Sequence, residues 1–93
     1  MKKKTKTNTV AAVDIKDIIA EHNEEALTMD GYDAAIIGMC HQFGRPSVVA
    51  YDKEKVIKML MKDMDREDAE EFWSYNQLGS GMGENTPVFI EKI

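Results

Sequence analysis

The sequence predicts a small α+β domain, with about four short helices packed on a two-stranded antiparallel sheet. A disordered basic tail is expected at the N-terminus. Apolar residues recur at helical spacing in several short segments, and two short runs resemble strands. Aspartate or glycine stands where most of these segments begin or end. A chain of 93 residues has room for one hydrophobic core, so residues 10–93 are expected to form a single domain.

The first helix is predicted to begin at Asp14, a residue suited to the N-cap. Its apolar face follows the spacing of an amphipathic helix: Ile15, Ile18, Ile19, His22 and Ala26. His22 lies at the edge of this stripe with no second ligand four residues away, which favours a packing residue over a metal ligand. Met29-Asp30-Gly31 is predicted to end the helix.

A second helix is predicted from about Asp33 to Phe43, with an inner face of Tyr32, Ile36, Met39, Cys40 and Phe43. Gly38 lowers helix stability, so a close approach to another element is expected there. Gly44-Arg45-Pro46 is a sharp break. Ser47–Tyr51 is predicted to be a strand that is covered on both faces, because its residues are apolar on both sides.

Asp52 and Asp65 are predicted to cap a third and a fourth helix. The third helix runs to about Asp63 with Val56, Ile57, Leu60, Met61 and Met64 inward. The fourth carries an inner stripe of Ala69, Phe72, Trp73 and Asn76, and Gly79 ends it. A final strand is expected from Val88 to about Glu91. Since each helix–helix turn reverses the chain, this strand is predicted to be antiparallel to the first.

Charge is divided unevenly along the chain. Residues 1–9 are expected to form a flexible tail, with four lysines and no acid: Lys2, Lys3, Lys4 and Lys6. The formal net charge of the whole chain is −5, so the remainder is strongly acidic. An acidic body disfavours nucleic acid and membrane surfaces as partners, except through the tail, which is more typical of a solubilising arm.

Cys40 is the single cysteine, so no internal disulfide forms, and a cytoplasmic location is expected. No secretory signal and no membrane-spanning apolar run are visible in the sequence. Cys40 and His41 are adjacent, which turns their side chains apart on a helix and argues against a nucleophile–base pair. No catalytic set, metal site or cofactor is predicted.

The loop before the last strand is the best candidate site. Its spaced glycines, Gly79, Gly81 and Gly83, resemble phosphate-binding loops, but they follow a helix instead of opening one, and Glu84 would repel a phosphate. A helix C-cap followed by a wide turn is the favoured interpretation. The carboxylate, amide and hydroxyl that follow, Glu84, Asn85 and Thr86, are chemistry suited to a small ligand or a peptide.

Asn76 stands where the helical stripe calls for an apolar residue. A buried amide needs hydrogen-bond partners, and the neighbouring loop has backbone groups to offer. We expect Asn76 to anchor this loop; the alternative is a pocket that Asn76 shares with Tyr51 and Glu84. The acidic cluster at Asp63–Glu71 lacks the glycine and glutamate positions of an EF-hand. It suits either the first turn of a helix or a surface for a basic partner.

The order of motifs resembles a family of short bacterial and tailed-phage proteins of unassigned function. The resemblance spans residues 24–90 and is carried by Asp30-Gly31-Tyr32-Asp33-Ala34, Val49-Ala50-Tyr51-Asp52, Glu71-Phe72 and, most specifically, Gly83-Glu84-Asn85-Thr86-Pro87-Val88-Phe89-Ile90. Met64-Asp65-Arg66 replaces a Gly-Met turn of many relatives. The resemblance implies a phage or bacterial origin and no particular chemistry.

The leading hypothesis is a non-enzymatic interaction module that binds another protein, because the chain is small, acidic and without a catalytic set. The first alternative is a small-ligand domain for a nucleotide or metabolite, which would use Tyr51, Asn76 and the Gly79–Thr86 loop. The second is a structural or self-associating component.

Overall fold

The computed structural model describes residues 14–78, 81 and 83–93. The predicted basic tail, residues 10–13 and Gly79 lie outside this part of the chain. Within it, three α-helices pack with a three-stranded mixed sheet, which confirms the α+β class. The elements in chain order are α1 (Ile15–His22), β1 (Ile36–Gln42), β2 (Arg45–Asp52), α2 (Lys53–Leu60), α3 (Arg66–Phe72) and β3 (Val88–Ile90).

The three helices begin where the aspartates predict. The carboxylate of Asp14 accepts a hydrogen bond from the N–H of Lys16 at 2.9 Å, and that of Asp65 accepts one from Asp68 at 2.8 Å. Asp52 accepts from the N–H groups of Glu54 and Lys55. Each cap satisfies N–H groups that have no partner within the helix.

Residues 33–43 do not form the predicted second helix. A short 3₁₀ turn at Asp33–Ala35 leads into β1, which pairs antiparallel with β2 so that Met39 lies opposite Val49. The apolar residues Ile36, Met39, Cys40 and Phe43 fit a helical pattern, but a pattern in the sequence does not include pairing with another strand. Pairing with the edge of β2 makes this segment a strand, because the pairing satisfies the backbone N–H and C=O groups of both strands.

The tight connection between β1 and β2 depends on Gly44. Gln42 pairs with Arg45, so Phe43 and Gly44 form a two-residue turn. Gly44 has a φ of 73°, a value that a residue with a Cβ adopts only with strain. The predicted break at this glycine is therefore the turn of a hairpin.

β3 is parallel to β2, with Ala50 opposite Val88 and Asp52 opposite Ile90, so the predicted antiparallel return is wrong. Hydrogen bonds of Asn85, three residues before β3, show where this strand begins. The carbonyl of Asn85 accepts a hydrogen bond from Leu27 N–H, and the Asn85 side chain meets Asn23, which also binds Ser47 near the start of β2. The loop thus returns the chain to the first half of β2 before β3 begins.

β2 is the centre of the core. Val48, Val49, Ala50, Tyr51 and Asp52 are all buried. On one face of the sheet, Val49 and Tyr51 belong to the main cluster, which contains Ile19, Ala35, Val56, Ile57, Leu60 and Ala69. The ring of Tyr51 stacks on Phe89 at 5.7 Å between centroids, and Trp73 meets Phe89 edge-on at 5.6 Å.

The inner stripe of the last helix differs from the predicted one. Ala69 is buried and Trp73 packs against the core, whereas Phe72 and Asn76 are exposed. A π-helical turn at Trp73–Gln77 continues α3, and its wider winding changes the face on which later residues lie. Met61, also predicted to be inward, is 39% exposed.

Replacing Tyr51 with phenylalanine tests the core. The Tyr51 hydroxyl accepts a hydrogen bond of 2.7 Å from the N–H of Met29, and Tyr51→Phe leaves that N–H without its partner while keeping the ring contact. We expect a loss of about 1–2 kcal/mol in the free energy of unfolding, measured in urea. The exposed Tyr75 provides the matched control, since Tyr75→Phe should change stability by less than about 0.5 kcal/mol. Equal stabilities of the two variants would contradict this assignment.

Candidate functional site

The residues of the predicted site loop divide between structural and exposed positions. Gly83 has a φ of 89°, and its carbonyl accepts a hydrogen bond of 3.2 Å from Thr86 N–H, so the segment forms a turn. Glu84 is exposed, and Gly81, with a φ of 29°, is exposed as well. Asn85 is half-buried, and both its backbone carbonyl and its side-chain oxygen accept hydrogen bonds.

Asn23, which the sequence did not single out, holds this loop. Its side-chain Nδ2 donates to the carbonyl of Ser47 at 2.8 Å and to Oδ1 of Asn85 at 2.9 Å. Its Oδ1 accepts from the N–H of Glu25 at 3.0 Å, and its backbone N–H caps the carbonyl of Ile19. Asn23 therefore ends α1 earlier than predicted, because its side chain satisfies backbone groups outside a helix.

Asn76 does not have the anchoring position that we expected. Its side chain is exposed, and Nδ2 donates to the carbonyl of Phe72 in the preceding helical turn at 3.2 Å. The loop is anchored through Asn23 and Asn85 instead. Tyr51, the third partner of the predicted pocket, is buried in the core and bound to Met29. None of the described cavities brings Tyr51, Asn76 and Glu84 together.

Asn76 instead lines an open groove of about 400 Å³ on the outer face of α3 and its π-helical turn. Each groove residue has another member three or four positions away along the chain, the spacing of one helical face: Met64, Asp68, Glu71, Phe72, Tyr75 and Asn76. Phe72 is 39% and Tyr75 76% exposed, and Leu78, three residues further on, is 51% exposed. We call the surface formed by the six groove residues, without Leu78, the α3 groove.

The acidic residues around α3 have different roles. Asp65 caps the helix. Glu70 lies within ion-pair distance of Arg66, whose guanidinium also forms a two-pronged contact with the carboxylate of Glu54 at 2.7 and 2.8 Å. The hydrogen bond from Arg66 lowers the pKa of Glu54 despite some burial. Asp68 and Glu71 take part in none of the described ion pairs and lie in the α3 groove.

A second cavity, of about 520 Å³, lies where the parallel strands β2 and β3 end. Its charged side chains pair with one another: Lys53 with Glu91 at 3.1 Å, and Lys92 with Asp52 at 3.3 Å. Burial by itself raises the pKa of Asp52, but the N–H of Lys55, the ammonium of Lys92 and the N–H of Glu54 together lower it below the ordinary value. These charges hold the C-terminal segment against α2 and leave little net charge for a ligand.

Cys40 and His41 lie on β1 and not on a helix. Cys40 is half-buried opposite Val48, while the exposed His41 contacts Ser47 on β2, so the two side chains of this dipeptide have separate surroundings. Among the described residues, no group of three or more histidine, cysteine or acidic side chains is placed to hold a metal.

No helix in the described ranges has the length and apolar content needed to cross a bilayer. Comparison with protein-family models, with curated proteins and with solved structures finds no match to this chain.

Two features of the site were missed by sequence reasoning. The exposed pair Phe72 and Tyr75 was missed because Phe72 was assigned inward; the i, i+3 spacing of these two aromatic residues was the available signal. Asn23 follows the last residue of α1 and is a residue type that favours helix ends, which was the signal for an early stop.

Removal of the Asn23 side chain should lower the free energy of unfolding more than is usual for a loop residue. Asn23→Ala removes two hydrogen bonds that join the end of α1 to β2 and to the 83–86 turn, and a third, local one from Glu25, so we expect a loss of about 2 kcal/mol in unfolding free energy. Asn85→Ala should cost about 1 kcal/mol, and the exposed Asn76→Ala less than about 0.5 kcal/mol. Urea denaturation of the three variants gives the order; a larger loss for Asn76→Ala would restore Asn76 as the anchor.

Tyr51 also makes the free energy of unfolding depend on pH in the alkaline range. Burial raises the pKa of the Tyr51 hydroxyl, the Met29 hydrogen bond opposes this, and Asp33 raises it further. The folded protein therefore keeps a proton that the unfolded chain releases near pH 10, so stability is complete below about pH 10 and falls as the pH rises above it. Unfolding free energies measured from about pH 8 to about pH 11 should fall less steeply for Tyr51→Phe than for the wild type. Identical slopes would contradict the prediction, since lysine titration is common to both proteins.

Proposed function

We propose that this protein is a non-enzymatic interaction module that binds a basic amphipathic segment of another protein in the α3 groove. The observation that carries the proposal is that two exposed aromatic side chains, Phe72 and Tyr75, line the same groove. Exposed apolar side chains that are contiguous and rimmed by polar groups are typical of protein-binding surfaces. Aromatic residues, tyrosine above all, are also the residue types that carry most binding energy at interfaces.

The charge of the groove defines the partner. Asp68 and Glu71 lie beside the apolar residues and are in none of the described ion pairs, so their carboxylates are available to lysine or arginine side chains. The cavity at the ends of β2 and β3 differs, because its acids are paired with its own bases. A segment with apolar residues along one side and basic residues at their edge therefore fits the α3 groove.

This function agrees with an origin in a bacterium or a tailed phage and with action in the cytoplasm, where a free cysteine stays reduced. The small-ligand alternative receives less support. The side-chain oxygen of Asn85, one of its candidate residues, accepts a hydrogen bond from Asn23, and Tyr51 is buried.

A synthetic amphipathic peptide of leucine and lysine tests the proposal, with a peptide of leucine and glutamate as the charge control. Titration followed by NMR should shift the amide signals of residues 64–78 with the first peptide only. Tyr75→Ser should weaken binding at least tenfold, because its exposed ring would become an anchor of the complex. Phe43→Ser is the matched control, since Phe43 is fully exposed at the hairpin turn.

Charge reversal separates this site from general attraction to an acidic protein. The double variant Asp68→Lys, Glu71→Lys should abolish binding, whereas the same reversal of two exposed acids at the C-terminal end of α1, Glu21 in its last turn and Glu24 just after it, should leave it largely unchanged. Equal losses in both double variants, or shifts that fall outside residues 64–78, would overturn the proposal.

A second copy of the chain is the other occupant to be tested. The exposed lysines of α2, Lys55 and Lys58, continue to Lys62 beside Met59 and form a basic ridge that could face the α3 groove of a neighbour. Mass measurement in solution distinguishes the two occupants. A salt-sensitive oligomer that Lys58→Glu and Tyr75→Ser both dissociate would identify self-association and would contradict a separate protein partner.

A further inference from the structure

The chain has two histidines, and the fold brings them together. His22 is the last residue of α1 and His41 lies on β1, yet their ring centroids are 6.0 Å apart, with an angle of 35° between the ring planes. Both side chains are exposed. No sequence pattern indicates this pairing, because the partner of His22 lies on another element and not four residues along the helix.

The hydrogen bonds of the two rings leave the same nitrogen available on each. Nδ1 of His22 lies 3.1 Å from the carbonyl of Ile18; because a carbonyl only accepts, Nδ1–H of the neutral ring donates and Nε2 keeps its lone pair. Nδ1 of His41 lies 2.6 Å from the hydroxyl of Ser47, and in the tautomer whose Nδ1–H donates a hydrogen bond to that hydroxyl the lone pair is on Nε2. A metal-binding histidine is commonly oriented in this way, with its second nitrogen bonded to a carbonyl or another oxygen.

The spacing of the rings suits a shared metal ion. Bonds of about 2.0–2.1 Å from a zinc ion to two imidazole nitrogens place the ring centroids roughly 5–6 Å apart, depending on the angle at the metal. The position of His22 in the last turn of α1 adds to this, because the partial negative charge of a helix C-terminus favours a cation.

We propose that His22 and His41 form a two-histidine site for a divalent transition metal of the zinc, nickel and copper type, bound through Nε2 of both rings. Water molecules complete the coordination, as the described residues supply no third ligand. Imidazole ligands select these metals over magnesium and calcium. A bound ion would join the end of α1 to β1.

Titration of the protein, produced without a histidine tag, with nickel ions tests the site. We expect one ion per chain and a rise in Tm on binding, since a ligand that binds only the folded state stabilises it. His22→Ala and His41→Ala should each weaken binding by roughly 10²-fold, because each leaves a single ligand without the gain from a second one held nearby. Magnesium should not bind. Both histidines are exposed, so the variants should fold, and urea denaturation without metal verifies this.

Two further variants distinguish the site from other sources of affinity. Ser47 is a positioning residue: Ser47→Ala should weaken nickel binding about tenfold, and Ser47→Thr, which keeps a hydroxyl, should restore it. Cys40→Ser should leave binding unchanged. One ion per two chains, lost in both histidine variants, would still place the metal at this pair, with a second copy completing the site. Nickel affinity that survives in His22→Ala, or that depends on Cys40, would overturn the proposal.

Discussion

The structure depends on the burial of the last five residues of β2. This strand is bonded along both edges, to β1 on one side and β3 on the other, and its residues from Val48 to Asp52 are shielded from solvent. A strand covered in this way needs partners for every backbone N–H and C=O, because unpaired polar groups in the interior are costly. The other described elements therefore take positions around it: helices cover the face of Val49 and Tyr51, and neighbouring strands satisfy its edges.

The parallel entry of β3 follows from this requirement and from one polar junction. Asn23 joins the end of α1 to the start of β2 and to the turn before β3, so three distant parts of the chain meet at a single side chain. β3 then adds to the open edge of β2, where Phe89 covers the ring of Tyr51. Charged residues complete the arrangement at the opposite end, where Lys92 pairs with Asp52 and Lys53 with Glu91.

The surface divides into regions with different availability for partners. The charges at the ends of β2 and β3 neutralise one another, so this cavity contributes to the fold. The α3 groove combines exposed aromatic side chains with carboxylates outside the described ion pairs, which is the composition of a docking surface. The histidine pair lies on other elements, at α1 and β1, so metal binding and partner binding can be tested separately.

The sequence by itself determined the α+β class, the three aspartate caps, the central strand and most of the buried residues of α2, because caps and amphipathic patterns are local properties. It did not determine the state of residues 33–43, where Ile36, Met39 and Phe43 fit the helical period and only pairing with β2 makes the segment a strand. The direction of β3, the anchor at Asn23 and the meeting of His22 with His41 likewise required the tertiary structure, because each depends on contacts between residues far apart in the chain. Phe72 and Asn76 were assigned inward from helical spacing, whereas the packing of Ala69 and Trp73 against the core turns both outward and creates the α3 groove.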